Sequence, residues 1–277
     1  MNIGQAVLLG VVEGLTEFLP VSSTGHLLIT ERLLGLSTEG AAGDGLIGFT
    51  AVVQVGAILA AVVYFFRDIL QLLGGFFGGL RSAQGRRDPE WRFALAVLVG
   101  SIPIGIVGLA LKDVVKTIDK QLIAVAIGLI VFSPVLVVAE RLATQRREER
   151  SLTLLDGALI GVAQCLALVP GVSRSGATIS AGLLRGLDRV SATRLSFLLG
   201  IPALLAAGAY ELKDATTSGP GAPGTVSTLV ATAVSFAVAY GAIAFLLRFV
   251  ASHRISAFVP YRLALGAAVL IGLLVAG

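Results

Sequence analysis

The chain has 277 residues, of which 56% are hydrophobic and 14% are charged, and its mean hydropathy is +0.91. That balance is too apolar for an ordinary water-soluble domain, so the composition predicts an integral membrane protein. The formal net charge is +4, but the basic residues cluster between apolar runs without a basic face or stacking aromatics, which argues against a nucleic-acid partner. The single cysteine, Cys165, excludes an intramolecular disulfide and a cysteine-based metal site.

The first half of the chain begins with an apolar stretch, 3–35, that is broken near its middle by the polar sequence PVSSTG. Each half of this stretch is too short to cross a bilayer alone. We therefore expect a re-entrant helix–turn–helix hairpin whose irregular backbone faces protein or a wet cavity. Three apolar runs long enough to span, or nearly span, the bilayer follow at 49–66, 93–111 and 121–139.

The second half repeats this order. A hairpin at 153–184, broken by PGVSRSG, precedes three further apolar runs, at 195–210, 227–249 and 261–276. The two broken segments align without a gap when 151 is added to each number, with GVVEGLTEFLPVSSTG at 10–25 matching GVAQCLALVPGVSRSG at 161–176.

This duplication predicts the fold class. Each half has one hairpin and three spans, and because three is odd the second half must lie upside down relative to the first. We predict an all-α integral membrane protein with six transmembrane helices and two re-entrant hairpins. It forms a single membrane domain over 1–277, built from inverted repeats at 1–139 and 153–277. Interrupted helices in corresponding positions are typical of a site near the membrane midplane.

Loop charge predicts the orientation of the chain. We assign fifteen basic residues to one side: Arg67, Arg81, Arg86, Arg87, Arg92, Arg141, Arg146, Arg147, Arg150, Arg185, Arg189, Arg194, Arg248, Arg254 and Arg262. The other side holds five, Arg32, Lys112, Lys116, Lys120 and Lys213, and Arg174 is left inside. By the positive-inside rule the first side is cytoplasmic, so both termini lie outside. Four aromatic residues at span ends are expected to be interfacial anchors: Tyr64, Trp91, Tyr210 and Tyr261.

Two acidic residues lie close together in the first half of the first hairpin. Glu13 and Glu17 are four residues apart, so their carboxylates share one face of a helix. An acidic residue at the centre of a membrane helix costs about 2.5–3.5 kcal/mol, and two nearby like charges are harder to ionise together. Protons, a basic partner such as Arg174, or a divalent cation of the Mg²⁺ or Ca²⁺ type would neutralise them. In a purely structural interpretation, one is protonated in the core and the other snorkels.

The turn of the first hairpin carries hydroxyl groups. Ser22, Ser23 and Thr24 precede Gly25, which permits close backbone approach, and His26 falls in the first turn of the following helix. Hydroxyls and free amides at a helix N-terminus form an anion site, although Ser and Thr there are also ordinary N-caps. The histidine is a candidate general acid or base, or a nucleophile that accepts the phosphate.

The second hairpin supplies a cation instead. Arg174 stands between Ser173 and Ser175, before Gly176, in the loop that should meet the first one. Arginine binds phosphate bidentately and keeps its proton, so we interpret it as an anion clamp; an ion pair with either glutamate is the structural alternative.

The acidic pair occurs only once. Gln164 and Leu168 occupy the positions that correspond to Glu13 and Glu17. The predicted site is therefore asymmetric.

Two long motifs resemble a known family. EGLTEFLPVSSTGH at 13–26 and PGVSRSGATIS at 170–180 are similar to the signature motifs of the bacterial undecaprenyl pyrophosphate phosphatase family (undecaprenyl-diphosphatase, bacitracin-resistance type), and length, hydropathy and spacing are similar over the whole chain. The resemblance implies hydrolysis of a polyprenyl diphosphate carrier lipid to its monophosphate, in the inner membrane, with a divalent cation, for recycling of the cell-wall lipid carrier. It also implies a homodimer.

Carried over by position, the resemblance assigns functional roles to Glu13, Glu17, Ser23, His26 and Arg174, with Ser22, Thr24, Gly25, Ser173, Ser175 and Gly176 around the phosphate. On this hypothesis the two glutamates hold the cation and the arginine grips the diphosphate. Three routes of attack stay open: Ser23 activated by His26, His26 itself, or water activated by His26 or Glu17.

Two other function classes share these features. Inverted repeats with broken helices and midplane charges are the architecture of secondary transporters, so a transporter or flippase for a phosphorylated lipid or anion is the alternative. A non-catalytic lipid-binding scaffold is disfavoured by the cost of intramembrane ionisable groups. We expect the site to face the outside, because the outer loops carry fewer basic residues and the acid-bearing hairpin enters from that side.

Overall fold

A computed structural model describes residues 1–36, 40–118, 121–215 and 223–276, and within these ranges the chain is mainly α-helical without a β-strand. The helices are α1 (Ile3–Thr16), α2 (Ser23–Leu33), α3 (Gly40–Tyr64), α4 (Phe66–Arg81), α5 (Pro89–Ala110), α6 (Lys112–Ile118), α7 (Leu122–Leu142), α8 (Leu154–Gln164), α9 (Arg174–Leu184), α10 (Arg189–Ala215), α11 (Thr225–Ser252) and α12 (Val259–Ala276). Lys120 lies outside the described residues, as do the side chains of Lys116, Tyr210 and Lys213.

Six helices in the described ranges are long and apolar enough to cross a membrane, which confirms the predicted spans. They cover Gly45–Tyr64, Pro89–Ala110, Leu122–Leu142, Arg189–Ala209, Thr225–Ser252 and Ile255–Val275. The fourth span begins at Arg189 rather than at 195. Ion pairs explain this extension, because Arg189 pairs with Glu140 at 2.6 Å and Arg194 pairs with Glu149 at 3.0 Å.

The broken segments fold as two similar hairpins: hairpin 1 consists of α1 and α2, and hairpin 2 of α8 and α9. Both begin with a capping box, formed by Asn2 and Gln5 in hairpin 1 and by Thr153 and Asp156 in hairpin 2. Each residue of the second capping box stands 151 positions after its counterpart in the first, and the ends of α9 stand 151 positions after the ends of α2. The re-entrant placement of both hairpins and the inverted orientation of the repeats stay predictions.

The two turns also share an uncommon backbone conformation. Ser22 and Ser173, which are 151 residues apart, both have a φ of 77°, a left-handed value that few non-glycine residues adopt. Strained residues of this kind persist only where the surrounding structure holds them, and they cluster at functional sites. The duplication therefore extends from the sequence to the backbone of the turns.

Each hairpin packs against a helix of the other repeat. Helix α1 lies along α11, and α8 lies along α5. Gly10 makes the first contact close, since a Cβ atom there would lie 2.5 Å from the carbonyl oxygen of Ala231; a Cβ atom at Gly161 would overlap the carbonyl oxygen of Gly100. Small residues of this type allow membrane helices to approach closely. The crossed packing brings the tips of the two hairpins together.

Helix α4 was not predicted, and no separate helix corresponds to it among the described residues of the second half. All of α4 but its first residue lies between the predicted spans 49–66 and 93–111, where we expected only a cytoplasmic connection. The helix packs on α5, where the rings of Phe76 and Trp91 stack 5.5 Å apart. One face exposes large apolar side chains, namely Phe66, Leu70, Leu73, Phe77 and Leu80. A helix with such a stripe and basic ends is typical of the membrane–water interface.

Candidate active site

The tips of the two hairpins bind each other directly. The Ser22 hydroxyl accepts a hydrogen bond from the backbone N–H of Gly171 at 3.2 Å, and the Ser175 hydroxyl donates one to the Leu19 carbonyl at 3.0 Å. The Ser173 hydroxyl accepts from the N–H of Gly176 at 3.2 Å and so caps α9. The hydroxyls of these three serines therefore stabilise the meeting of the two turns. Their predicted contact with phosphate stays a prediction.

Glu17 is the centre of the polar contacts between the hairpins. It follows the last residue of α1 and continues its hydrogen-bonding pattern, with its N–H bonded to the Glu13 carbonyl at 3.0 Å. One carboxylate oxygen, Oε2, accepts the hydroxyl proton of Ser23 at 2.6 Å; the other, Oε1, accepts from Nη2 of Arg174 at 3.3 Å. Ser23 is thus hydrogen-bonded to a carboxylate, and the buried negative charge is balanced by a guanidinium.

Arg174 is fixed from the opposite side by α10. Its Nη1 donates to the carbonyl oxygen of Ser196 at 3.0 Å. Gly200, one turn further along α10, leaves the space that the guanidinium occupies, because a Cβ atom there would lie 2.5 Å from Cζ of Arg174 and would overlap Nη1. Neither α10 residue lies in a recognisable motif, so only the fold reveals this support. The predicted ion pair with a glutamate is present, formed with Glu17. The anion clamp stays a prediction, and this ion pair is compatible with it.

His26 lies in the first turn of α2, as predicted, but its partners were not. Its Nδ1 is 2.7 Å from the carbonyl oxygen of Ser22, and its Nε2 is 2.6 Å from the hydroxyl of Tyr261 on α12. No hydrogen bond joins His26 to Ser23 in the part of the chain that the structure describes. Tyr261 was predicted to be an interfacial anchor, which stays a prediction; its contact with the candidate catalytic histidine was not predicted.

Arg262 corrects the predicted distribution of charge. We placed it among the cytoplasmic basic residues, but it is fully buried and lies at the hairpin tips. It donates to the carbonyl oxygens of Pro20 at 2.9 Å and Gly171 at 2.8 Å, one in each turn, and its Nε donates to the Ser133 hydroxyl at 3.2 Å. These acceptors satisfy a guanidinium that would otherwise be too costly to bury. The position within an apolar run was the signal that could have identified it.

The remaining predicted residues lie nearby in the hairpins. Glu13 is fully buried one helical turn before Glu17, and Thr24 is exposed at the start of α2. Gly25 is buried against α7, where a Cβ atom would lie 2.7 Å from a methyl carbon of Val125. The structure thus brings the first-hairpin acids and hydroxyls and the second-hairpin arginine into one region.

Comparison with known proteins gives the family. The model of the bacitracin resistance protein BacA matches residues 6–268. The chain belongs to the BacA family. Undecaprenyl-diphosphatase 3 of Frankia casuarinae is 53% identical over 98% of this chain and 96% of that protein. The undecaprenyl-diphosphatase of Acidothermus cellulolyticus is 54% identical over 95% of this chain and 93% of that protein. The undecaprenyl-diphosphatase of Cutibacterium acnes is 47% identical over 99% of this chain and 98% of that protein. The predicted family is confirmed.

Two carboxylates of this BacA family member could contribute to a cation site. Among the described residues, no group of three or more His, Cys, Asp and Glu side chains is close enough to hold a metal ion alone. Glu13 and Glu17, one helical turn apart, supply the one or two carboxylates with which Mg²⁺ is commonly bound when substrate phosphates and water complete its shell. The residues present therefore fit a divalent cation that is also bound by the diphosphate. Two carboxylates alone do not form a complete metal site.

The base of hairpin 2 is a charged cluster that is separate from the site. The buried carboxylate of Asp156 accepts from Arg147 at 2.7 Å, from Arg185 at 2.6 Å and from the N–H of Thr153 at 2.9 Å. Burial opposes ionisation, but the hydrogen bonds from Arg147, Thr153 and Arg185 outweigh it and hold the pKa of Asp156 well below its usual range. The start of α8 is thereby tied to the loop before it and to the end of α9.

Proposed function

We propose that this BacA family member is a membrane phosphatase that hydrolyses undecaprenyl diphosphate, or a similar polyprenyl diphosphate, to the monophosphate and inorganic phosphate. This reaction recycles the lipid carrier of cell-wall synthesis. Relatives that share about half of its residues over nearly the whole length are named undecaprenyl-diphosphatase. The observation that carries the proposal is the partly buried hydrogen bond from Ser23 to Glu17, beside Arg174, where two broken helices meet.

Arg174 is suited to bind the diphosphate. Its Nη1 is held by Ser196, while its buried Nε has no hydrogen-bond partner among the described residues. The Nε–Nη2 edge of a guanidinium can donate to two phosphate oxygens at once. A phosphate bound along this edge partly neutralises the positive charge of Arg174 and so weakens its interaction with the Glu17 carboxylate. The carboxylate then becomes a better proton acceptor.

Ser23 is the nucleophile that the geometry favours. Its hydroxyl is 2.6 Å from Glu17, whereas both ring nitrogens of His26 already have other partners. As the Ser23 oxygen bonds to the terminal phosphorus, its proton passes to Glu17. The bond from that phosphorus to the bridging oxygen breaks, and the polyprenyl monophosphate leaves.

His26 has its role in the second step. Water attacks the phosphorus of the phosphoserine, and the proton of that water passes to His26. The bond between phosphorus and the Ser23 oxygen breaks, and this oxygen recovers its proton from Glu17. The products are inorganic phosphate and the original serine, and His26 releases its proton to solvent. Direct attack by His26 on phosphorus is disfavoured because both of its ring nitrogens already have hydrogen-bond partners.

A divalent cation would be held by Glu13 and Glu17 together with the substrate. When bound, Mg²⁺ or Ca²⁺ neutralises charge on the diphosphate oxygens and so stabilises the transition state. The apolar surroundings of the two carboxylates favour such a neutralising partner.

We also propose an inner-membrane location with both termini and the site facing outside. With Arg262 removed from the cytoplasmic set, fourteen basic residues remain against five, which supports the same orientation. In a Cys165→Ser background, a cysteine at the exposed Leu33 should react with an impermeant maleimide added to spheroplasts, and one at the exposed Gln84 should not. The opposite labelling would reverse the orientation. A homodimer is proposed on the family resemblance alone, and the mass of the particle in nanodiscs tests it.

The test of the proposed activity is phosphate release from undecaprenyl diphosphate by the purified protein in detergent. Ser23→Ala should abolish it. Ser180→Ala is the matched control, because the buried Ser180 hydroxyl on α9 has no hydrogen-bond partner among the described residues. A folded protein that releases no phosphate but moves the lipid between vesicle leaflets would instead support the transporter or flippase, which the names of the relatives do not favour.

A further inference from the structure

The pair of His26 and Tyr261 joins two distant parts of the chain at the site. His26 belongs to the first turn of α2, and Tyr261 to the first turn of α12. Their rings are nearly parallel, at an angle of 13°, with centroids 5.6 Å apart, and Nε2 of the histidine is 2.6 Å from the tyrosine hydroxyl. The sequence motifs contain the histidine but not this partner.

The hydrogen bonds fix which nitrogen of His26 carries the proton. The Ser22 carbonyl can only accept, so Nδ1, at 2.7 Å, must be the donor. In a neutral imidazole Nε2 is then unprotonated and accepts from the Tyr261 hydroxyl. The unprotonated Nε2 of His26 is therefore the basic atom of the pair, and the Tyr261 hydroxyl donates a hydrogen bond to it. Arg262, the next residue on α12, is fully buried and donates to carbonyl groups of both turns.

The geometry points to Tyr261 as a proton relay between water and His26. We propose that, as water attacks the phosphoserine, the phenol oxygen takes the proton that the water loses while its own proton passes to Nε2. The phenol is neutral before and after the step, and the imidazole gains one proton. Tyr261 is 49% exposed, which makes it the more open member of the pair and gives water a route to it.

This relay rests on the proposed function for its kinetic test, but its starting geometry can be measured without activity. The chain has only two histidines, so in a His253→Gln background the ¹⁵N spectrum of a histidine-labelled sample in detergent reports His26 alone. At a pH of about 8, where a histidine of ordinary pKa is neutral, the spectrum should show a protonated Nδ1 and an unprotonated Nε2. A protonated Nε2 with a bare Nδ1 would overturn the relay. This measurement leaves His26 and Tyr261 unchanged.

The kinetic test is a double-mutant cycle. Tyr261→Phe removes only the hydroxyl and should lower kcat at least tenfold while kcat/KM stays near that of the parent, because the relay acts after the phosphoserine has formed. His26→Gln should lower kcat further still. If the two residues act in series, the double variant should be no worse than His26→Gln alone. Losses that multiply, or a Tyr261→Phe enzyme with the kcat of the parent, would overturn the relay.

Tyr240→Phe is the matched control. Tyr240 is similarly exposed, at 43%, and its ring packs against Tyr64 rather than against the site. This variant should keep the parent kcat and KM. If the parent protein releases no phosphate at all, the proposed function fails, whereas the ¹⁵N spectrum still decides whether the Tyr261–His26 contact exists in the expected tautomer.

Discussion

The two hairpins have nearly the same backbone and carry different chemistry. Both begin with a capping box and turn through a serine with a φ of 77°. Hairpin 1 then carries Glu17 and Ser23, where hairpin 2 carries Leu168 and Arg174. Duplication thus supplied two turns that meet. In the proposed mechanism, the substitutions between the copies supply a base and a nucleophile in hairpin 1 and an anion clamp in hairpin 2.

The bases of the hairpins differ as well. The capping box of hairpin 1 is neutral, formed by Asn2 and Gln5, whereas Asp156 in hairpin 2 is ionised and bound by two arginines. Hairpin 2 also has its arginine held by α10. In the proposed mechanism, hairpin 2 is the half that is held in place to position the phosphate, and hairpin 1 performs the proton transfers.

The largest effect should follow from loss of the carboxylate that exists in only one copy. Glu17→Gln keeps the shape but removes the base for Ser23, so kcat should fall by about 10³-fold. Leu168→Gln places the same amide at the corresponding position of hairpin 2 and should change kcat by less than about threefold. Phosphate-release kinetics measure both variants. Equal losses in the two hairpins would break the proposed division of roles.

Replacement of the clamp should have the next largest effect. Arg174→Lys keeps the charge but loses the planar fork, so kcat/KM should fall by about 10²-fold. Arg185→Lys is the control, since Arg185 binds Asp156 at the base of hairpin 2 and lies outside the site. Near-parental turnover in Arg174→Lys would reduce Arg174 to a point charge and would remove the bidentate contact from the mechanism.

A smaller effect should follow when only the support of the clamp is changed. Gly200→Ala places a methyl group against the Arg174 guanidinium and should lower kcat/KM roughly tenfold, because small displacements of positioning groups are costly in catalysis. Gly208→Ala lies on the same helix, where the nearest atom to a new Cβ would be 3.8 Å away, and should be neutral. Similar behaviour of the two variants would mean that α10 does not position Arg174.

The smallest effect on catalysis is expected at the base of hairpin 2, where stability should change instead. Asp156→Asn should lower the free energy of unfolding by roughly 1–3 kcal/mol while kcat stays within about threefold of the parent. The folded-state pKa of Asp156 is depressed, so its contribution is present above the unfolded-state pKa of about 3.9 and is lost as the pH falls below it. Thermal unfolding of parent and variant should therefore converge on acidification. A constant difference would mean that charge is not the cause.

Sequence alone predicted the six spans, both hairpins and the acid–arginine asymmetry, because hydropathy and a repeated motif can be read directly from the order of the residues. It did not predict α4, whose apolar residues are interrupted by glycines and never form a long run. Contacts between distant segments were also missed: Gly200 beside Arg174, Tyr261 beside His26, and Arg262 at both tips. A count of loop charges treats Arg262 as cytoplasmic, because only the folded chain shows the carbonyl groups that satisfy it.

The central claim is that a side chain of hairpin 1 carries the phosphate between two displacements. The stereochemical course at the terminal phosphorus tests it most directly, with a substrate made chiral there by sulfur and oxygen isotopes. Two in-line displacements, first by Ser23 and then by water, predict retention of configuration in the released thiophosphate. Inversion would show a single displacement by water and would contradict the account.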